Sequence, residues 1–492
     1  MKVVVISLLI WVQAITCCTR NQMLQDFEAK LQHRLASLNP LPPPSINSPK
    51  MNGRVVYPIG YGADPTGSED SSDAILEALS DAFELGNGME MLPGVSDLGG
   101  VVIDFEGGNY QITKPITFPP LSAGNLLVKG GTLRASPTFP ADRHLVELAP
   151  SGSLKSSSTY HPTTTFTDSK DHNAGIYYEG ITFRDIFFDS TYRGGGLLVA
   201  DSARIRIINC FFLHFTTQGI LVVRGHETFI STTFLGQHET IGGDQAERDY
   251  SGTAIDLASN DNAITDVAIF SAAVGILLRG QANIVTGVHC YNKATYFGGT
   301  GILVKKSPGS SLTRIDNCYM DYTSIVMEDP VQVHVSNGLF LGDANVVLKS
   351  INGRISGVNI VDNMFTGSPT NMVPIVRVEG VFSSTDQVVI DRNNVAGMRL
   401  KSTVGKMTVA GKGRRWVADF SSVLVFPDRI NHFQYSFYGN DQGVGGRSVV
   451  HAVTNVSNNV VVVESDELVS GVVCVFVDQY NMVGETNSVT KY

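Results

Sequence analysis

The chain carries few charges. Asp, Glu, Lys and Arg make up 17% of 492 residues, below the roughly 25% of an average soluble domain. It has no basic surplus either: 36 Lys and Arg face 46 Asp and Glu, a net charge of −10. That argues against a general nucleic-acid binder, though an anionic substrate remains possible, because binding answers to local charge. Past the N-terminus no apolar run reaches the ~20 residues that a bilayer demands. The 3.6-residue pattern of TPR- and HEAT-type repeats is absent. Cysteines number six, and no Cys/His spacing resembles a zinc site. No metal and no cofactor is called for.

The first residues read as a secretory signal. Lys2 is followed by ten residues, Val3 to Val12, that are apolar but for one Ser, then by small residues up to Cys18. Residues 1–18 are read as the signal, with no membrane attachment after cleavage, and the protein as secreted, extracellular and monomeric. Asn455-Val456-Ser457 is the acceptable glycosylation sequon, which places a sugar on Asn455. Cleavage leaves Cys210, Cys290, Cys318 and Cys474 in the mature chain. Cys290 and Cys318 lie on adjacent repeats, within disulfide range; the other reading is a column of buried free thiols.

What is abundant is glycine, 49 residues, and a repeat. A small residue followed by alternating branched aliphatics starts at Gly196, Gly219, Ala254, Gly275, Gly301, Ser324 and Asn345, with spacings of 23, 35, 21, 26, 23 and 21. A period in the low twenties with strand-like alternation is the mark of a solenoid. The expected fold is all-β: a right-handed parallel β-helix over residues 53–400. A helix bearing Ile75, Leu76, Leu79 and Phe83, capped by the cluster Asp70, Ser71, Ser72 and Asp73, would plug its N-terminal end. Asp64 and Asp70 are read as structural. Residues 19–52 form a helical and Pro-rich leader, with an amphipathic helix expected over 19–40. The stretch Ser151 to Thr167 reads as a surface loop, and residues 401–492 as a β-rich C-terminal cap.

Counting each repeat from its first residue, positions one and three face the core and positions two and four face out. Position two reads Leu198, Leu221, Asp256, Leu277, Leu303, Val326, Val347. One carboxylate interrupts a column of aliphatics that suits either overlying loops or the floor of a sugar site. A lone charge among apolar neighbours has a perturbed pKa, so Asp256 is the first catalytic candidate; the plain alternative is that it pairs with Arg279. The long repeat before it carries an insertion from Leu235 to Gly252, with Asp244 and Asp249 as second carboxylates and His238 and Arg248 as binding groups. Arg279 and Lys305 follow one and two coils on, in a short basic stripe at position four.

The opening Gly62-Ala63-Asp64-Pro65-Thr66-Gly67, with Asp70 and Asp73-Ala74-Ile75, followed by these coils, resembles the pectin-lyase-like superfamily. With Ser251-Gly252-Thr253-Ala254-Ile255-Asp256-Leu257-Ala258-Ser259-Asn260-Asp261-Asn262 the chain more closely resembles the plant Quartet-class polygalacturonases of pollen-tetrad separation. This resemblance implies hydrolysis of α-1,4-galacturonosyl bonds in pectin. The four motifs of mainstream polygalacturonases are altered: Thr253 replaces the usual catalytic Asp, Ala273-Val274 the Asp pair, Gly299-Thr300-Gly301 the Gly-His-Gly, and Val326-Met327-Glu328 the Arg-Ile-Lys. Three functions are weighed: an inverting hydrolase with a rebuilt site, a pectate lyase, and a wall-polysaccharide-binding β-helix without catalysis. In the first, Asp256 works with Asp244 or Asp249, and Arg279, Lys305, Arg248 and His238 hold polygalacturonate.

Overall fold

The computed structural model describes residues 49–150, 176–237, 251–291, 298–307, 309–439 and 449–481. The signal, the leader helix, the loop at Ser151 to Thr167, and Asp244, Asp249, Arg248 and His238 lie outside the described residues.

Each coil of the central solenoid contributes one strand to each of three parallel stacks. The first stack holds the Gly-led strands: Gly195–Ala200, Gln218–His226, Thr253–Asn260, Val274–Leu278, Thr300–Val304, Ser324–Glu328 and Val346–Lys349, paired coil to coil in parallel register. It extends beyond the seven repeats, to His144–Leu148 before them and Val376–Glu379 after them. Ile220, Ile255, Ile276, Ile302 and Ile325, all at position one, are fully buried. The leading position is small because the next coil's backbone presses on it. A Cβ on Gly275 would lie 2.4 Å from the Gly301 carbonyl oxygen, and one on Gly196 2.4 Å from the Phe212 ring.

The second and third stacks are joined by a tight corner, as at Arg206–Ile208 to Phe211–Leu213 and Thr313–Asp316 to Tyr319–Asp321. One left-handed residue turns each such corner: Asn209, Thr232, Asp266, Gly287, Asn317, Asn337 and Asp362 have φ between 49° and 63°. Asn and Asp tolerate that conformation better than other side chains. The amide of the turning residue still donates to the next coil, Asn209 N to Ser231 O at 3.1 Å and Asn317 N to Ser336 O at 3.1 Å, so the corner breaks no ladder.

Inside, Phe188 and Phe212 of adjacent coils stack with centroids 4.4 Å apart. Each solenoid coil contacts only its neighbours, so a cavity there is not relieved from elsewhere. Phe212→Ala is expected to cost about 3–5 kcal/mol, measured by denaturant unfolding of the purified chain; a loss under 1 kcal/mol would contradict this packing.

Helix α1 (Ser72–Glu84) buries Ile75, Leu79 and Phe83 over the first coils, with Phe83 edge-on to Phe118 at 5.9 Å. Its cap comes from one member of the expected cluster. The Ser71 hydroxyl accepts from the Asp64 amide at 2.9 Å and leaves the helix uncapped by its own side chain. Asp70 takes that role, receiving the Ser72 amide at 3.1 Å and the Thr113 amide at 3.0 Å. Asp64 holds a turn by accepting from the amides of Thr66, Ser68 and Glu69. Both carboxylates have structural duties.

After residue 400 the Gly-led phrase stops and plain alternation takes over. Val404–Asp419, His432–Gly439 and His451–Ser457 all pair antiparallel with Val460–Asp478. One face of that sheet buries Trp416, Phe420, Val461, Val463, Val473, Val475 and Val477. Asn455 is exposed.

Cys210, Cys290, Cys318 and Cys474 are free thiols, and they do not form one column. Cys210 and Cys318 follow the left-handed corner residues, whereas Cys290 sits within His289–Tyr291 in register with Met320. Burial pushes the Cys210 and Cys318 thiols up to about 12 and raises Cys290 as well. The thiolate is the reactive form, so iodoacetamide at pH 8 should label Cys474 alone of these four in the native state. Labelling of Cys210 without denaturant would contradict the buried placement.

Candidate functional site

The candidate site is the outer face of the first stack. Register places Glu147, Leu198, Leu221, Asp256, Leu277, Leu303, Val326, Val347 and Arg377 in one outward column. Leu221 and Leu277 therefore flank Asp256 on either side, and Asp256 is only 2% exposed. Alternation dictates this. Ile255 and Leu257 point into the core, so the residue between them points out.

Arg279 meets Asp256 there. Its Nε donates to Asp256 Oδ1 at 2.9 Å and its Nη2 to Oδ2 at 2.7 Å, with 11% of the Arg and 3% of the Asp side chain exposed. Bidentate Arg–carboxylate pairs are strong and directional. Burial drives the two partners the other way: it raises the Asp256 carboxyl well above the usual carboxylate range and lowers the Arg279 guanidinium to about 10. Taking both charges out of water costs several kcal/mol per ion, so a buried pair is weak evidence for stability. The coils on either side put Leu221 and Leu277 at this position, so stacking here does not itself require an ion pair.

Position four carries the two cations Arg279 and Lys305 on successive coils and then alternates in charge through Glu328, Lys349 and Glu379. Lys305 and Lys349 reach Glu328 from the coils on either side, at 3.1 and 3.3 Å. Lys306 pairs with Asp329 at 3.0 Å. At the other end of the face, Arg143 holds Glu147 through a bidentate pair, its Nε donating at 2.7 Å. Glu147, with its partner Arg143 four residues before it, precedes the first counted repeat, whereas Glu328 stands between Lys305 and Lys349 at position four, 23 and 21 residues from them.

These positions limit the chemistry. Coils repeat every ~4.8 Å. Glu147 is three coils before Asp256 in the same column, and Glu328 lies three coils after it, so each is at least about 14 Å away. Inverting glycosidases hold their two carboxyl groups ~6.5–9.5 Å apart. Neither residue completes such a pair with Asp256. Thr253, at the place of the usual catalytic Asp, lies between Gln218 and Val274 in register.

Two further polar groupings were not legible in the sequence. His214 Nδ1 lies 2.7 Å from Asp189 Oδ1, with Arg134 on the other carboxylate oxygen at 3.2 Å and the Tyr192 ring 4.6 Å from the imidazole. Burial alone would raise the Asp189 carboxyl; the His214 bond and the Thr191 amide outweigh it and hold it below the ordinary range. The second grouping is a buried amide ladder. Asn262 Nδ2 donates to Asn283 Oδ1 at 2.8 Å, and Asn262 Oδ1 accepts from the Thr228 amide at 2.9 Å. This gives Asn262, in the distinctive Ser-Asn-Asp-Asn run, a structural duty. Among the described residues no group of three or more His, Cys, Asp or Glu is placed to hold a metal ion.

No family model matches the chain. Among curated proteins, polygalacturonase QRT3 of Arabidopsis thaliana is 49% identical over 465 residues, spanning 93% of this chain and 91% of that one. Among solved structures, ORF18 of Geobacillus virus E2 matches with a TM-score of 0.51 at 11% identity, covering 85% of this chain and 77% of its own, a likeness of fold alone. The A-module of the mannuronan C-5 epimerase AlgE6 of Azotobacter vinelandii aligns with a TM-score of 0.40 at 12% identity, over 70% of this chain and 94% of its own.

Proposed function

Because the chain belongs to the polygalacturonase family, we propose that it is a secreted wall enzyme that hydrolyses α-1,4-galacturonosyl bonds of de-esterified pectin, with a part in pollen-tetrad separation. The observation that carries this reading is the 49% identity to QRT3 across 93% of the chain. The site is the outer face around Asp256.

In this reading Asp256 is the general acid and Asp244 or Asp249 the base. Arg279 is the trigger. A galacturonate carboxylate offers the guanidinium the same two acceptors that Asp256 does. When the sugar takes Arg279, the Asp256 carboxyl is left in an apolar setting that favours its protonated form. It then gives its proton to the departing glycosidic oxygen, while the base takes a proton from the water attacking the opposite face of C1. The proton passed to the base returns to Asp256 through solvent. Arg248, His238 and Lys305 bind neighbouring sugar carboxylates, Lys305 exchanging Glu328 for the substrate.

A second reading, a wall-polysaccharide-binding β-helix without catalysis, draws on one observation: Glu147, Asp256 and Glu328, on the described strands of this face, each already have a cationic partner. Following reducing ends and ultraviolet absorbance together on polygalacturonate separates the possibilities. Reducing ends without absorbance are expected. Absorbance from an unsaturated product would mean a lyase, and tight binding without either signal would mean the binding protein.

A further inference from the structure

A second groove runs along the other side of the solenoid, on the outer face of the second stack. Its floor is the outward column Ile284, Arg314, His334, Asn359 and Val389, successive partners in parallel register. Four coil steps make it about 19 Å long. Leu312 and Gln332, left-handed residues at the entry to their strands, form one rim. Tyr480 walls the end. The strap that carries Tyr480 is fixed to the last coil: the Gln387 amide donates to Asn481 O at 2.8 Å, and Asn481 Nδ2 to Asp386 Oδ1 at 3.1 Å. The volume is about 590 Å³, within the ~300–1,000 Å³ of small-molecule and saccharide-sized sites.

Its chemistry is unlike the rest of the molecule. The chain has ten more acidic than basic residues, yet none of the residues lining this groove is acidic. Arg314 is exposed and has no acidic partner among the described residues, whereas the outward cations of the first stack, Arg279, Lys305 and Lys349, are all matched to carboxylates. Around Arg314 stand Ile284, 46% exposed, and Leu312, 54% exposed. His334 Nε2 lies 2.8 Å from Asn359 Nδ2. A trough of mixed apolar and polar lining with one cation free of acidic partners, an imidazole–amide pair and an aromatic end wall suits a chain of rings that bear carboxylates at intervals.

We propose that this groove binds an extended anionic polysaccharide, a second segment of the same galacturonate polymer, without cleaving it. The choice of polymer rests on the function proposed above; the groove itself rests on its own lining. With the cleavage face on the first stack and this trough on the second, one molecule would hold wall polymer on two sides, and its residence on pectin would exceed that of the cleavage face alone.

Hydroxyl-radical footprinting of the full-length protein with an oligogalacturonate tests this directly, because it reads side-chain exposure independently of turnover. Ile284, Leu312 and Tyr480 should become protected. Arg314→Glu should raise the oligogalacturonate concentration needed by about tenfold or more, as loss of a charge-assisted contact does, and Arg314→Lys by less. Fully methyl-esterified oligomer should give no protection. Protection without any hydrolysis would keep the groove and remove the proposed enzyme function. Hydrolysis without protection would overturn the groove, as would equal protection by the neutral oligomer, or protection that grows with protein concentration alone and so marks self-association.

Discussion

Asp256→Asn should lower kcat on polygalacturonate by about 10²–10⁴-fold, the usual worth of a general acid. The substitution keeps the shape of the side chain and one acceptor for Arg279, but it removes the proton to be transferred. KM should move much less than kcat, because the binding cations remain. The variant also leaves a buried guanidinium half-satisfied, so the melting temperature is measured beside the rate. A folded variant that turns over at the wild-type rate would remove Asp256 from the chemistry and leave it as a structural pair. Arg279→Lys separates the two roles further. It keeps the charge but loses the two-pronged fit to a carboxylate, so both Asp256 placement and sugar capture should weaken.

Arg279→Met should cost about 3–5 kcal/mol of stability at pH 7, the expected penalty for leaving a buried charge without its partner. Its pH dependence follows from burial. With the guanidinium gone, burial alone sets the Asp256 carboxyl, and that raises it above the ~3.9 of an unfolded chain. A group raised on folding contributes its stability in full below the unfolded value and loses it as pH rises through the folded value. The deficit relative to the wild type should therefore shrink at about pH 4 and widen toward neutrality. Denaturant unfolding at the two pH values measures it. Pairing Arg279→Met with Asp256→Leu, which restores the leucine found at Leu221 and Leu277, should recover most of the loss, because apolar replacement of a buried ion pair is often neutral or better. A single variant as stable at pH 7 as at pH 4 would show that the pair is not truly desolvated.

The solenoid was legible because its signal is local and repeated. A small residue, then alternating aliphatics, recurs wherever one coil's backbone presses on the next, as at Gly196 and Gly275. The terminal strands His144–Leu148 and Val376–Glu379 lie outside the Gly-led phrase because the small leading residue is replaced there by Leu145 and Ile375. Asp256 stood out for the same reason, as the exception in a column. Its pairing with Arg279 is the plain alternative, and the two residues are in contact. Glu328 stands between Lys305 and Lys349 at position four of the repeat, so their pairing follows once the coils are stacked. The cap of α1 is legible only as a cluster, because two hydroxyls and two carboxylates stand side by side at Asp70 to Asp73, and only the fold decides which faces the free amides.

The most direct measurement is time-resolved proton NMR of wild-type protein with an oligogalacturonate, reading which anomer is released before mutarotation scrambles it. An inverting hydrolase acting on α-linked substrate releases the β-anomer first, and that is the expected result. Release of the α-anomer first would contradict the two-carboxylate site proposed around Asp256. No new anomeric signal at all, with the oligomer still bound, would contradict hydrolysis itself.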